Sequence, residues 1–447
     1  MNLTLHYYDI FPKVFLINRE TEITIRPLGQ HVAFSGEYQL RILSAAQGRP
    51  GCYPCHENYV DMQVQTRQDG CIQFSHCFAQ EGQYLIQIQK DGNWVVELPL
   101  YALSEDMEGR YPYRGDLHIH TSRSDGQQAP AIVAANYRRN GYDFMAITDH
   151  ERYYPSLEAK DAYQDVPIGL NIVEGEEVHL PDNDVHIVNF GGQYSVNGLW
   201  ESSWQSKQST RRSLMDNPPE VLTKEQYRQQ VMDLIPTLHI PEHIEPFAYA
   251  SCIWILEHIR KGDGLGIFCH PYWKIGGPYQ VPEVFTEYMT QTHPFDAFEV
   301  LGGELYYEQN GFQTIRYYED KAKGIHYPIV GSTDSHNSLP DHSGMALMAS
   351  TFVFAKENSR KALIHAIKDE YSVAVDTISK EYRLVGDFRL VKYARFLLDE
   401  ITPLHDELCF EEGRLMKAYA TGDPDAADGL KFIAGRMDKF YQKYFYL

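Results

Sequence analysis

No stretch of this sequence keeps an apolar run for the about 20 residues needed to span a bilayer, so a membrane-spanning helix is excluded. The opening Met1-Asn2-Leu3-Thr4-Leu5-His6-Tyr7 lacks a basic start followed by an apolar run, which predicts no secretory signal. Cysteine is sparse and odd in number, 7 in 447 residues, which fits a reducing compartment better than a disulfide framework. The expected location is therefore cytoplasmic. Basic residues are also short: 40 Lys and Arg against 61 Asp and Glu give a net charge of −21. Such a surface repels nucleic acid duplexes and anionic membranes, but leaves room for a small anionic substrate wherever metal ions reverse the local potential. There is no internal repeat, no low-complexity tract and no Gly-rich dinucleotide pattern; Gly191-Gly192 and Gly302-Gly303 follow strands without completing one.

What is present is an ordinary globular composition, 43% hydrophobic, 23% charged and 13% aromatic, on a chain longer than one compact domain. Residues 1–110 alternate with period two, as in Glu22-Ile23-Thr24-Ile25-Arg26 and Tyr84-Leu85-Ile86-Gln87-Ile88-Gln89, between Gly-containing turns. That predicts an accessory β-sandwich-like domain. From 111 to 387 the pattern becomes strand, polar loop, helix. Pro130 opens a helix over Ala131 to Arg139, Asn140-Gly141 stops it, and the strand Phe144 to Ile147 follows. Further strands are predicted at Asn171 to Val173, Val185 to Phe190, Leu265 to Cys269, Ala297 to Leu301 and Tyr327 to Val330, an α/β alternation that implies a parallel sheet, open or closed into a barrel. A stretch at about 195–260, with Trp200, Trp204, Arg211-Arg212 and a helical run from Thr223 to Leu234, reads as an insertion over the mouth. Residues 388–447 read as a C-terminal helical tail for packing or for homo-oligomer contacts, with Phe396, Leu397 and Ile401 at near-helical spacing.

The chemistry lies between Asp116 and His336. In Asp116-Leu117-His118-Ile119-His120-Thr121-Ser122-Arg123-Ser124-Asp125-Gly126, alternate residues Asp116, His118 and His120 share one strand face and Asp125 follows in the loop. An isolated His-x-His fits outward residues of an edge strand just as well. Several other strands, however, also end in a metal-ligating residue type: Thr148-Asp149-His150, Glu174-Gly175-Glu176-Glu177, His186 in Val185-His186-Ile187-Val188, His270-Pro271, and Asp334-Ser335-His336. Strand ends meet at one mouth in β/α barrels, so residues far apart in sequence converge there. Mixed imidazole and carboxylate donors suit Zn, Mn or Fe.

These segments resemble, in order, the motifs of the PHP (polymerase and histidinol phosphatase) family over residues 113–340. The resemblance implies a distorted seven-stranded β/α barrel of PHP type that holds two to three divalent transition-metal ions. By motif, the ligands it implies are His118, His120, Asp125, His150, Glu177, His186, His270, Asp334 and His336. Glu174 and Glu176 compete with Glu177, and His179 with His186. The implied function is hydrolysis of a small phosphorylated substrate by hydroxide held between metals, with Asp149 and Asp116 orienting histidines or moving protons. Arg123, Arg152 and Lys274 are the expected phosphate-binding cations, although Arg and Lys are more often plain surface charges. A C–N or carboxylic ester hydrolase is the alternative within the same chemistry, and a metal-binding regulatory or ligand-binding protein the alternative outside it.

Some features tempt and are set aside. Cys52-x-x-Cys55 with Cys71 and Cys77 lacks the second close pair of a structural zinc site and reads as small buried hydrophobes. Cys252, Cys269 and Cys409 have no catalytic context, Cys269 being most simply a strand residue. His239, His243, His258, His293, His326 and His342 belong to no motif.

Overall fold

A computed structural model of the protein describes residues 3–29, 32–46, 59–179, 181–200, 217–274, 276–302, 307–339, 348–377 and 382–447. Trp204, Arg211, Arg212, Cys52, Cys55 and His342 lie outside the described residues. The chain is a mixed α/β protein that divides into two compact units, Met1–Tyr111 with Phe388–Leu408 and Gly435–Leu447, and Pro112–Asp387 with Cys409–Ala434.

The first unit is built from β1 (Tyr8–Phe11), β2 (Val14–Leu16), β3 (Glu20–Pro27), β4 (Glu37–Ser44), β5 (Tyr59–Gln65), β6 (Ile72–Cys77), β7 (Gly82–Lys90) and β8 (Asn93–Leu103). They form a three-stranded sheet, β1-β3-β6, and a six-stranded sheet in which β2-β8-β7-β4-β5 are joined at one edge by the terminal pair Phe445–Tyr446. Period-two alternation sends Ile23 and Ile25 from one sheet, and Leu40, Ile86, Ile88 and Leu98 from the other, into one shared core. Cys71 is buried and Cys77 exposed, so the two do not share an environment. In the same unit the helix Phe388–Glu400 lays Tyr393 and Phe396 against Tyr101, with ring centroids 5.1 and 5.2 Å away, and Lys13 pairs with Glu400 at 2.8 Å in the interior.

The second unit carries β9 (Tyr111–Asp116), β10 (Phe144–Ala146), β11 (Asn171–Val173), β12 (Gly175–His179), β13 (His186–Phe190), β14 (Leu265–Phe268), β15 (Ala297–Leu301), β16 (Ile329–Gly331), β17 (Ala349–Ala355), β18 (Ser372–Asp376) and β19 (Arg383–Val385). Two sheets result, in the orders β11-β10-β9-β17-β18-β19 and β12-β13-β14-β15-β16. Leu117, Phe144, Val173, Val188, Ile267, Ala297, Val330 and Val353 from the two sheets fill one core. Two isolated parallel bridges, Ile119 to Ser335 and His150 to Glu177, tie the sheet ends together.

The expected parallel pairing holds for β9, β10 and β11 and for β14, β15 and β16. It fails at β12-β13-β14 and β17-β18-β19, which are antiparallel. For β12 and β13 the reason is connection length: the link between His179 and His186 is too short for a crossover, so the two close as a hairpin. The 195–260 stretch is partly core, since Trp200, Tyr227 and Trp254 pack together in the larger hydrophobic cluster. Its helix Lys224–Leu234 starts on a capping box between Thr223 and Gln226. The C-terminal helices are shared between the two units rather than forming a separate tail, and the chain ends in a strand pair rather than a helix. Within the second unit, wholly buried Arg138 anchors them by donating to Glu412 at 2.8 Å, to Asp143 at 3.2 Å and to the Tyr142 carbonyl at 3.0 Å.

Candidate metal centre

Beyond Asp116 the chain continues β9 as Leu117-His118-Ile119-His120, and strand alternation sorts its side chains. Leu117 and Ile119 enter hydrophobic cores, while His118 and His120 turn the other way. Backbone hydrogen bonds fix the surrounding loop ends in register. The Asp334 N–H donates to the His118 carbonyl at 2.9 Å, His120 N–H to Ser335 at 2.9 Å, Thr148 N–H to Ile119 at 2.8 Å, and Glu177 N–H to Thr148 at 3.1 Å. The loop after His120 folds back so tightly that a Cβ on Gly126 would lie 2.7 Å from the His120 carbonyl, which is why glycine stands there.

These elements gather His118, His120, Asp125, His150, Glu177, His186, His270, Asp334 and His336. Fully buried Glu177 is at the middle. Its Oε1 is 2.7 Å from His186 Nδ1 and 3.3 Å from His270 Nε2, while Oε2 is 3.7 Å from His118 Nε2, 3.6 Å from His120 Nε2 and in contact with His150 Nδ1. Asp334 Oδ1 lies 2.8 Å from His120 Nε2 and 3.3 Å from His118 Nε2. Asp125 Oδ2, nearer the surface, is 3.4 Å from His150 Nε2 and 3.3 Å from His336 Nε2. Three overlapping donor groups follow: His118, His120 and Asp334; His120, Asp125, His150 and His336; and His150, Glu177 and His179. His270 and Asp334 hold left-handed backbone, φ 27° and 53°, a strain of the kind found where side chains are positioned for function.

The competing residues separate by their contacts. Glu174 pairs with Lys160, and Glu176 turns into a buried polar pocket where Asn189 and Asn197 donate to it at 3.0 Å and Ser195 at 2.7 Å. His179 and His186 are not exclusive: they face each other across the β12-β13 hairpin and their rings stack at 4.3 Å. His179 Nε2 lies 2.8 Å from His150 Nδ1.

Asp116 and Asp149 brace loops. Asp116 accepts from Tyr137 at 3.0 Å, Thr333 Oγ1 at 2.6 Å and the His118 N–H at 3.2 Å; Asp149 accepts from the Thr121 N–H at 2.8 Å and its hydroxyl at 2.7 Å. Burial pushes these carboxyls up to about 7 and about 6 despite the hydrogen bonds. Arg123 is held by both oxygens of Glu158, at 2.8 and 2.6 Å, and Lys274 by Glu308 at 2.8 Å. Arg152 is buried.

Residues the sequence did not single out also line the centre. Glu299, on β15 and wholly buried, places Oε2 3.0 Å from His118 Nδ1. Cys269, read as a plain strand residue, sits with His118 and His270 as a further donor group. Strand alternation carries no signal for Glu299, since its neighbours Ala297, Phe298, Val300 and Leu301 are all apolar and the register shifts between Glu299 and Leu301.

Burial opposes charge on every group here, yet the neighbouring imidazoles hold Asp125, Glu177 and Asp334 below the ordinary carboxylate range. Burial, with the charge on His150, brings His120 down to about 3, and burial brings His186 to about 4 against the pull of Glu177, so both present lone pairs. His118, His150 and His270 are raised, burial being outweighed by the carboxylates and, for His270, first by Cys269.

A metal fits this arrangement. Among the described residues, His118 Nε2, His120 Nε2, His186 Nδ1, Asp334 Oδ1 and both Glu177 oxygens are buried without a hydrogen-bond partner. Polar atoms in that state are costly unless something shared satisfies them. The donors are imidazole nitrogens and carboxylate oxygens, the set preferred by Zn, Mn and Fe.

No family model matches the chain, and no curated protein matches it. Its structure is similar to that of a two-domain protein from Bacteroides vulgatus containing a predicted PHP-like metal-dependent phosphoesterase, with 17% identity and a TM-score of 0.38 over 60% of this chain and 65% of that one, under two thirds of its length. A Bifidobacterium adolescentis protein proposed to be a metal-dependent phosphoesterase is similar at 18% identity and TM-score 0.34, over 51% of this chain and 89% of that one. An amidohydrolase from Chromobacterium violaceum gives 18% identity and TM-score 0.30, over 52% and 89%. Likeness at this level leaves the reaction to be argued from the side chains.

Proposed function

We propose that the chain is a metal-dependent hydrolase of phosphate esters acting on a small phosphorylated substrate, built on a PHP-type β/α barrel closed by the His150–Glu177 and Ile119–Ser335 bridges. The observation that carries the reading is the set of buried imidazole and carboxylate atoms that converge without hydrogen-bond partners among the described residues. The overlapping donor groups suit on the order of two to three divalent ions of the Zn, Mn or Fe type. When bound, such ions supply Lewis acidity toward phosphoryl oxygens and lower the pKa of water.

The protein's own part is positioning. Glu177 reaches histidines of every group and spaces them. Asp116 and Asp149 lock the loops that carry His118, Asp334, His120 and Asp125. Arg123, Arg152 and Lys274, all beside motif residues, are assigned to the substrate phosphate, Arg123 by leaving Glu158 and Lys274 by leaving Glu308. On a chain of net charge −21, a metal-loaded centre and the cations beside it would be the attraction for an anionic substrate, which favours small substrates over polymers.

The test is elemental analysis of protein purified without chelator, together with phosphate release from aryl phosphate mono- and diesters and a control panel of amides and carboxylic esters. Bound transition metal and phosphate release, both lost in His120→Ala, support the proposal. Activity confined to the amides or carboxylic esters replaces it with the alternative hydrolase, and protein that stays metal-free and inactive after Mn²⁺ or Zn²⁺ is added ends it.

A further inference from the structure

Beneath the converging histidines lies a carboxylate that the reaction as proposed does not use. Glu299 is fully buried on β15, with Oε2 3.0 Å from His118 Nδ1. Its Oε1 is buried with no hydrogen-bond partner among the described residues. The opposite nitrogen of the same ring, His118 Nε2, faces Asp334 Oδ1 at 3.3 Å and Glu177 Oε2 at 3.7 Å, again without a hydrogen bond.

This geometry fixes which nitrogen can serve. A carboxylate accepts and never donates while ionised, so Nδ1 carries the proton toward Glu299 and Nε2 is the nitrogen presented to Asp334 and Glu177. A lone pair aimed at two carboxylates is repulsive unless a cation lies between them. The backbone enforces the placement: a Cβ on Gly302 would fall 1.8 Å from Glu299 Oε1, so a side chain there would displace the carboxylate. Gln313 also donates to the Glu299 carbonyl at 3.0 Å, and Asn310 accepts from the Gly302 N–H at 2.9 Å, holding the end of β15 in place.

We infer that Glu299 is a positioning residue for a divalent transition metal: it holds His118 as the Nδ1–H tautomer, strengthens Nε2 as a ligand, and is kept in reach by Gly302. The inference rests on the metal-centre reading above. Partners of this kind commonly alter metal affinity by about 10–100-fold.

The test compares wild type, Glu299→Gln, Glu299→Ala and Gly302→Ala, all checked for folding by circular dichroism. Zn²⁺ affinity and stoichiometry are read by competition with a chromogenic chelator, and the visible spectrum is recorded after Co²⁺ loading. Glu299→Ala and Gly302→Ala should each weaken one Zn²⁺ site by about 10–100-fold and shift the Co²⁺ bands. Glu299→Gln, which still accepts from Nδ1–H through its amide oxygen, should lose less. Folded Glu299→Ala protein with wild-type Zn²⁺ affinity and Co²⁺ spectrum overturns the inference while leaving the metal centre standing, and so does a variant that loses only thermal stability. Wild-type protein that binds no Zn²⁺ or Co²⁺ overturns both readings.

Discussion

Glu177→Gln is the perturbation that bears most directly on the centre, because the change preserves volume and leaves no cavity. It removes a wholly buried negative charge whose oxygens lie 2.7 Å from His186, 3.3 Å from His270 and 3.6 to 3.7 Å from His118, His120 and His179. An amide offers one acceptor oxygen, and its NH₂ cannot ligate a cation. An ion that binds only the folded state at about a hundred times its Kd stabilises it by about 2.7 kcal/mol. At an unfolding entropy of about 2.1 cal/mol/K per residue, a unit of roughly 300 residues moves Tm by about 1.6 °C per kcal/mol, so each occupied site should raise Tm by roughly 4 °C. Wild-type protein stripped with chelator and reloaded with Mn²⁺ should show at least one such increment by scanning calorimetry; the variant should show less than half of it and hold fewer ions by elemental analysis. An equal increment and an equal ion count in the variant would refute the argument that Glu177 joins the donor groups.

His179→Ala should reduce Mn²⁺ content about as much as His186→Ala, because the hairpin sets both rings against the same group; wild-type content in the first variant would return His179 to the role of a bystander. Carboxylates hold His118 and His150, and Cys269 with carboxylates holds His270, above the ordinary imidazole range in the ion-free protein, so binding an ion displaces protons. Affinity should then rise from pH 6 to pH 8, by about tenfold per unit for each proton displaced, and a titration heat that does not change with buffer ionisation enthalpy would contradict this. Arg138→Met leaves Glu412 and Asp143 without their buried cation and should lower stability by about 3–5 kcal/mol in urea unfolding; a loss under about 1 kcal/mol would show that water or rearrangement satisfies them.

The parts of this architecture legible in the sequence were those that a local period or a strand end encodes. Thr21, Ile23 and Ile25 alternate inward as their pattern predicts, and Pro130 with Asn140-Gly141 bounds the helix Pro130–Arg139. His118 and His120 could be placed together by alternation along one strand, and His150, His270 and Asp334 with them because each of these follows a short apolar strand. What local pattern does not encode is strand direction. Only the three-dimensional closure of the β12-β13 hairpin sets His179 opposite His186. The division of residues 388–447 between two units was equally hidden, since an apolar helix face says that it is covered and not by what.

Glu299 shows the same limit from the other side. Its neighbours Ala297, Phe298, Val300 and Leu301 mark a buried strand, and a lone acid inside such a run looks like a packing defect until its partner is known. The partner is a histidine nearly two hundred positions earlier, and a Glu–His contact across that separation leaves no spacing signature. The buried ionisable groups of this unit therefore fall into two sets that composition cannot separate. Asp116, Asp149 and Glu176 spend their hydrogen bonds on the protein and hold its loops. Glu177, Asp334, His118 and His120 leave atoms unmatched, and His270 and Asp334 also accept left-handed backbone. Folding stability alone favours neither unmatched atoms nor strained backbone. That both coincide at one mouth is what separates a centre built to hold ions from a buried polar network built to hold the fold.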